Sequence, residues 1–141
     1  MPEYTKTKIY KLVSDHMELG YYGHTTQPLD KRLNQHIRRA QRDTYQCTSK
    51  QVVDCGELSI ILMEDVQCDC AKDAREKERY YIEHHPCVNK NIPNRTGKEY
   101  YQSVKERKKQ YYEERKEAKR QYQLTRYYWI KSMDGMNFIN V

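Results

Sequence analysis

Two short segments decide how this chain folds: Lys8-Ile9-Tyr10-Lys11-Leu12-Val13 and Leu19-Gly20-Tyr21-Tyr22-Gly23. The residues from Ile9 to Val13 form a short, apolar, β-prone run, and a second run from Leu19 to Tyr22 follows the polar segment Ser14-Asp15-His16. Two such runs around a polar turn predict a β-hairpin. We expect Gly23 to end the second strand.

A helix is expected to follow the hairpin. The segment Gln27-Pro28-Leu29-Asp30 opens it, with Pro28 near the first turn, where the missing N–H of proline costs little. Arg32 and His36 lie one helical turn apart beside an apolar stripe, so both side chains are expected on the core side. That stripe recurs at helical spacing and consists of Leu29, Leu33, Ile37 and Ala40.

Beyond this helix, residues 41–56 are polar and irregular, and we expect a loop there. The run Leu58 to Met63 (LSIILM) is apolar on both alternating faces, which predicts a central strand that is covered on both sides. Together with the hairpin, this strand predicts an α/β (α+β) fold. Its small three-stranded sheet, antiparallel or mixed, would be flanked by helices.

A second helix is predicted over residues 69–85. Glu78 lies four residues from both Ala74 and Ile82, so its carboxylate shares an apolar helix face. A carboxylate is costly to bury without a partner or a metal. Glu78 is therefore a candidate functional residue, and residues 87–89 after the helix are expected to be a short extended piece.

The last third of the chain has an 11-residue repeat. Residues 98–108, 109–119 and 120–130 place Tyr100, Tyr111 and Tyr122 at the same point of each repeat. Because eleven residues are close to three helical turns, these tyrosines line up along one long helix. We expect residues 131–141 to cap or dock its end. The sequence thus predicts one domain over residues 1–95 and a basic helical appendage over residues 96–141.

Positive charge is concentrated in this appendage. Residues 1–95 hold 15 basic and 14 acidic residues, a balance of +1, whereas residues 96–141 hold 11 and 6, a balance of +5. A basic segment with interleaved aromatics favours a polyanion partner, nucleic acid first. The alternative is a solvated helix that packs its tyrosine stripe on protein. The residues expected to contact DNA are Lys98, Lys105, Arg107, Lys108, Lys109, Arg115, Lys116, Lys119 and Arg120.

The chain has five cysteines, an odd number without CxxC spacing, which is not typical of a secreted disulfide framework. No apolar run approaches the roughly 18 residues of a membrane span, and the N-terminus lacks a signal-peptide stretch. We therefore expect a soluble intracellular protein with free thiols. Cys68-x-Cys70 and His84-His85-Pro86-Cys87 invite a zinc interpretation, but their spacing is not that of a standard finger or ribbon. Buried free thiols are the expectation there.

The order of these elements and polar residues resembles the GIY-YIG nuclease domain, which is named for two tripeptides on adjacent strands. Lys8-Ile9-Tyr10 and Tyr21-Tyr22-Gly23 stand at about the family's spacing. Two letters depart from the family: Lys8 replaces the first glycine and Tyr22 replaces the central isoleucine of the second tripeptide. The resemblance covers roughly residues 7–95.

The remaining site positions of the family also have counterparts here. Arg32 and His36 are similar to an arginine and a histidine, four residues apart, on the family's first helix. Glu78 opens an aromatic-apolar run on the next long helix, as the family's glutamate does. An asparagine follows shortly afterwards, and Asn89 fits best, with Asn91 as the alternative.

The resemblance implies an endonuclease that hydrolyses DNA phosphodiester bonds with Mg²⁺ (or Mn²⁺). Glu78 would hold the metal, and the planar guanidinium of Arg32 would bind the phosphate. Tyr10 would be the general base. Its ordinary pKa is about 10, and we expect a nearby cation, such as Lys8, Lys11 or His36, to lower it.

Four further residues would complete this site. Tyr21 would position the water or the phosphate, and Asn89 would tie the site together by hydrogen bonds. His36 would orient Tyr10 or relay a proton, although a core-edge histidine is an equal alternative. Gly23 would let the backbone approach where a side chain would block it.

Two other classes of function compete with the enzyme. One is a non-catalytic DNA-binding protein that keeps the fold, but the presence of both Arg32 and Glu78 favours catalysis. The other is a structural coiled-coil protein, which only the repeat supports, and a tyrosine-based seam would be weak. The sequence leaves a monomer and a homodimer equally open.

Overall fold

The computed structural model describes residues 2–44 and 46–135. Its described elements form an α+β fold, as predicted. A short 3-10 turn at Tyr4–Lys6 precedes one three-stranded sheet. The strands are β1 (Thr7–Ser14), β2 (Met17–Thr25) and β3 (Leu58–Val66), and the helices are α1 (Leu29–Ala40), α2 (Ser49–Asp54), α3 (Ala71–His84) and α4 (Gly97–Asp134).

The sheet is antiparallel throughout and has the order β2-β1-β3. The predicted hairpin is confirmed, with Ser14 paired to Met17 across the turn. The expectation that Gly23 ends the second strand was wrong, because β2 continues to Thr25 and Gly23 pairs with Tyr10 within it. In this register the two predicted tripeptides meet at the Tyr10–Gly23 pair, whereas Lys8 pairs with Thr25 and Tyr21 with Leu12.

The predicted strand Leu58 to Met63 exists, but its predicted place in the sheet was wrong. It belongs to β3, an edge strand, and β1 takes the centre because it pairs with both neighbours. Ile61, Leu62 and Met63 are 45%, 43% and 37% exposed. An apolar run indicates a strand, but strand order depends on which partners the chain brings to each edge.

The loop predicted over residues 41–56 was also wrong in its second half, where α2 lies. Val52 is completely buried and packs with Leu12 of β1 and with Val88. A helix of six residues is too short to show a periodic apolar pattern in the sequence. The position of α2 depends instead on the burial of Val52.

Helices α1 and α3 are confirmed where they were predicted, with α1 beginning directly after Pro28. Helices lie on both faces of the sheet. Leu12 on one face packs against Val52 of α2, whereas Tyr22 on the other face lies against Tyr81 of α3 with ring centroids 5.7 Å apart. The sheet is therefore covered on both faces where β1 and β2 run.

The contacts divide the chain into one compact unit up to Asn94 and a second from Arg95 onward. In the second unit, α4 runs for 38 residues. A capping box begins it, because Thr96 Oγ1 accepts from the Glu99 N–H and Glu99 Oε2 accepts from the Thr96 N–H. None of the described residues of α4 is buried.

The expectation that residues 131–141 cap or dock the helix was wrong for the first four of them, because α4 continues through Asp134. Residues 136–141 lie outside the described part of the chain. No described helix combines the length and the apolarity that crossing a membrane requires.

Candidate active site

A cleft of about 400 Å³ opens beside β2, and most of the predicted site residues meet there. Its walls come from β2, α1 and α3, together with Pro2 and Tyr4. Tyr10 and His36 are buried, and Arg32 joins them to the cleft by its hydrogen bond to Tyr10. The site residues and neighbours that line the cleft include Tyr21, Gly23, His24, Arg32, Gln35 and Glu78.

Gly23 and Tyr10 fit each other across the hairpin. A Cβ atom added to Gly23 would lie 2.5 Å from Tyr10 Oη and 2.7 Å from Tyr10 Cζ, closer than non-bonded atoms can approach. The Tyr10 phenol thus occupies the space that any other residue at position 23 would fill. Glycine is required here by the close approach of the Tyr10 side chain.

The Tyr10 hydroxyl lies in a chain of hydrogen bonds. Arg32 Nε donates to Tyr10 Oη over 2.9 Å, and Tyr10 Oη is 2.8 Å from His36 Nε2. On the far side of the ring, His36 Nδ1 lies 3.2 Å from Ser49 Oγ, whose hydroxyl donates to Cys47 Sγ over 3.3 Å. Tyr10 is therefore held between a cation and an imidazole.

His36 is neutral in this site. Burial, together with repulsion from Arg32 and Arg39, lowers its pKa from 6.5 to about 4. Because Arg32 already donates to Tyr10 Oη, the hydrogen-bond network assigns the phenolic proton to the bond with His36 Nε2. His36 then carries its own proton on Nδ1, where Ser49 Oγ accepts it.

The expectation that a cation lowers the pKa of Tyr10 was wrong. Burial raises it to about 12, and the neighbouring cation, Arg32, only partly opposes that effect. The three proposed helpers act elsewhere: Lys8 Nζ lies 4.0 Å from Asp65, and Lys11 lies over the Tyr22 ring. The third, His36, is uncharged.

Tyr21 contacts the same histidine as Tyr10. Its ring meets the His36 ring edge-on with centroids 5.6 Å apart, and the Tyr10 ring does so at 5.8 Å. Burial also raises the pKa of Tyr21 above its usual range, and the nearby Tyr10 adds to that rise. Tyr21 is thus a neutral hydroxyl at the edge of the cleft.

Glu78 reaches the cleft from α3, and its partner was missed by sequence reasoning. His24 Nδ1 forms a short hydrogen bond with Glu78 Oε2. The Glu78 side chain is 12% exposed and that of His24 is 26% exposed. The position of His24 directly after Gly23 was the available signal, but the strand was expected to end before it.

Asn89 pairs with the backbone of β2. Its Oδ1 accepts from the Tyr22 N–H over 2.9 Å, and its Nδ2 donates to the Tyr22 carbonyl over 2.8 Å. It also lines a second cavity with Tyr21, Glu78 and Asn91. Asn89 thus holds the segment after α3 against the strand that carries Tyr21.

The cysteines of the zinc alternative differ in burial. Cys68 is buried, as expected, whereas the expectation of a buried thiol was wrong for Cys70, which is exposed; both are free thiols. Within residues 2–44 and 46–135, no three histidine, cysteine or acidic side chains are grouped as a metal site.

His36 is expected to make stability depend on pH. The unfolded chain protonates this residue near pH 6.5 and the folded protein only near pH 4. Between these values the unfolded state binds more protons, so the free energy of unfolding decreases as the pH falls from 6.5 to 4, by up to about 3 kcal/mol. Urea denaturation across this range measures the effect.

The His36→Gln variant should lose most of this dependence, since glutamine does not titrate. His16→Gln is the matched control, because His16 is an exposed turn residue. Equal pH dependence in the wild type and His36→Gln would contradict a neutral buried His36.

Comparison with known proteins gives one match, to a protein family. The family model described as "GIY-YIG catalytic domain" matches residues 6–92. No curated protein and no solved structure matches the chain. The matched range contains both tripeptides, Arg32, Glu78 and Asn89 and covers more than half of the chain. The chain therefore belongs to the GIY-YIG family of nucleases, enzymes that cleave phosphodiester bonds.

Proposed function

We propose that this protein is a metal-dependent endonuclease that hydrolyses DNA phosphodiester bonds. The observation that carries the proposal is the position of Tyr10 Oη, held between Arg32 Nε and the neutral His36 Nε2. Glu78 lines the same cleft as Arg32. In-line hydrolysis of a phosphodiester needs an activated water, a bound phosphate and charge stabilisation in one place.

Tyr10 is the proposed general base, and His36 gives it a route for its own proton. With a pKa of about 12, Tyr10 holds almost no phenolate at neutral pH. As Tyr10 Oη takes a proton from the attacking water, its hydroxyl proton passes to His36 Nε2 along the existing hydrogen bond. The tyrosine stays neutral before and after this transfer, so its high pKa is compatible with the role. The positive charge appears on His36, and the anionic phosphate bound by Arg32 would offset the burial and the repulsion that lower the His36 pKa.

Arg32 is proposed to bind the scissile phosphate. Its Nη1 donates to Gln35 Oε1 over 3.0 Å, and Gln35 Nε2 donates in turn to Gln27 over 2.8 Å. These bonds and the one to Tyr10 fix the plane of the guanidinium. A phosphate bound by this fixed fork would lie next to the general base.

Glu78 is the proposed metal ligand, and the donors around it fit such an ion. A carboxylate oxygen suits Mg²⁺ or Mn²⁺, and the open cleft leaves space for water and phosphate oxygens to complete the coordination. When bound, the cation neutralises phosphate charge and stabilises the leaving oxygen. Tyr21, which lines the same cleft, would position the attacking water.

A nicking assay tests this function. Supercoiled plasmid is incubated with the protein and Mg²⁺ or Mn²⁺, or with chelator. Metal-dependent conversion to open circles is the expected result. If no divalent metal supports cleavage, the alternative of a DNA-binding protein that keeps the fold without turnover is favoured.

We further propose that α4 contacts the DNA backbone. Its described residues are exposed except for the half-buried Ser103 and Val104, and basic residues and tyrosines recur along it. Lysines and arginines neutralise phosphates, and tyrosines donate to phosphate oxygens or stack on bases.

Replacing Lys108, Lys109, Arg115 and Lys116 with glutamine in the full chain should weaken duplex binding, and more so at low salt. Each lost phosphate contact should reduce the slope of log affinity against log salt by about 0.9. Fluorescence anisotropy with a labelled duplex measures both quantities. Replacing four exposed lysines or arginines of the first unit, away from the cleft, is the control. Unchanged affinity at low salt, in this variant or after truncation behind Gly97, would contradict the proposal.

A further inference from the structure

We propose that His24 is a second protein ligand of the divalent metal that Glu78 holds, and that the site therefore prefers a first-row transition ion such as Mn²⁺ to Mg²⁺. This inference rests on the proposed function, since it concerns the same metal. His24 lies within the matched range but directly after the second tripeptide, and the resemblance assigns no role to this position.

The spacing of the two side chains suits a shared ion. His24 Nδ1 and Glu78 Oε2 are already within hydrogen-bond distance. Two neighbouring ligands of an octahedral ion, each about 2.1 Å from the metal, lie about 3 Å apart. A cation can therefore replace the proton between Nδ1 and Oε2 with small side-chain rotations.

The basic side chains next to Glu78 on α3 form ion pairs with other residues, so His24 is the partner of the Glu78 carboxylate. Lys77 Nζ lies 3.6 Å from Glu64, and Arg79 Nε donates to Glu83 over 2.9 Å. Glu78 thus faces the cleft with an imidazole beside it, while the basic residues before and after it pair elsewhere. Both His24 and Glu78 line the cleft that Arg32 also lines.

The donor set decides the metal preference. A carboxylate alone favours hard cations such as Mg²⁺, whereas an imidazole nitrogen binds transition ions more tightly. Mg²⁺ also retains its waters strongly and is usually held by oxygen ligands. A mixed nitrogen and oxygen pair therefore shifts the balance toward Mn²⁺.

The test uses the full chain, without DNA, and Mn²⁺ as the probe. Pulsed electron paramagnetic resonance of bound Mn²⁺ detects a directly coordinated imidazole nitrogen. We expect nitrogen modulation in the wild type and its loss in His24→Gln, with about tenfold or more weaker Mn²⁺ binding and less change for Mg²⁺. His16→Gln should behave as the wild type, and His24→Asn replaces His24→Gln if the latter does not fold.

The outcomes separate the two proposals. If Mn²⁺ binds the wild type and is lost in Glu78→Gln, but the wild type shows no nitrogen modulation, His24 is not a ligand. The same holds if the nitrogen modulation persists in His24→Gln. Either result overturns the role of His24 and leaves the proposed metal site intact. Failure of the wild type to bind Mn²⁺ at all overturns both the role of His24 and the metal part of the proposed function.

Discussion

Replacing Glu78 with glutamine is expected to lower the rate of DNA cleavage about 10³-fold or more. Glutamine has nearly the same volume, and its amide oxygen can still accept a hydrogen bond from His24, so the fold should remain intact. The negative charge that binds the cation is lost. DNA affinity should stay the same or increase slightly, because the carboxylate no longer repels phosphate.

Single-turnover cleavage and anisotropy with the same duplex measure the two effects separately. Glu76→Gln is the matched control, since Glu76 lies on the same helix with an exposed side chain. A Glu78→Gln variant that cleaves within about tenfold of the wild-type rate would contradict a metal-binding role for Glu78.

The second large effect is expected from Arg32→Lys, which keeps the charge but removes the planar fork. Arg32 contacts Tyr10 through Nε and Gln35 through Nη1, and the three donors of an ammonium are all on one nitrogen, so lysine cannot reproduce the positions of both bonds while it binds a phosphate. We expect kcat to fall about 10²-fold to 10³-fold. KM should change much less, because most of the binding charge is retained.

Steady-state kinetics on a short duplex separates kcat from KM. Arg38→Lys is the control, because Arg38 lies on the outer face of α1 and is exposed. If Arg32→Lys raised KM and left kcat unchanged, Arg32 would serve binding in the ground state, and its proposed role beside the general base would be wrong.

The local pattern of apolar and polar residues was sufficient to predict the hairpin and α1, which carry most of the candidate site residues. Two apolar runs around Asp15-His16 predicted the hairpin, and the stripe from Leu29 to Ala40 predicted α1 with Arg32 and His36 on its inner side. Glu78 stood out because a carboxylate on an apolar helix face requires a partner. Each of these inferences depends on residues that lie close to one another in the sequence.

The features that sequence did not reveal depend on distant segments. The place of β3 at the sheet edge follows from which strand pairs with β1, and α2 depends on the burial of Val52. The pKa of Tyr10 depends on how completely the helices cover it. His24 was missed because its partner, Glu78, is 54 positions away.

The contact between Gly23 and Tyr10 makes these two positions mutationally interdependent. Any Cβ at position 23 would displace the phenol, so a larger residue there is tolerated only together with a smaller one at position 10. Such a double change would restore packing but remove the hydroxyl that Arg32 and His36 hold. Substitutions at these sites are therefore non-additive, and an evolutionary path that accepts any side chain at position 23 preserves the fold only by giving up the tyrosine.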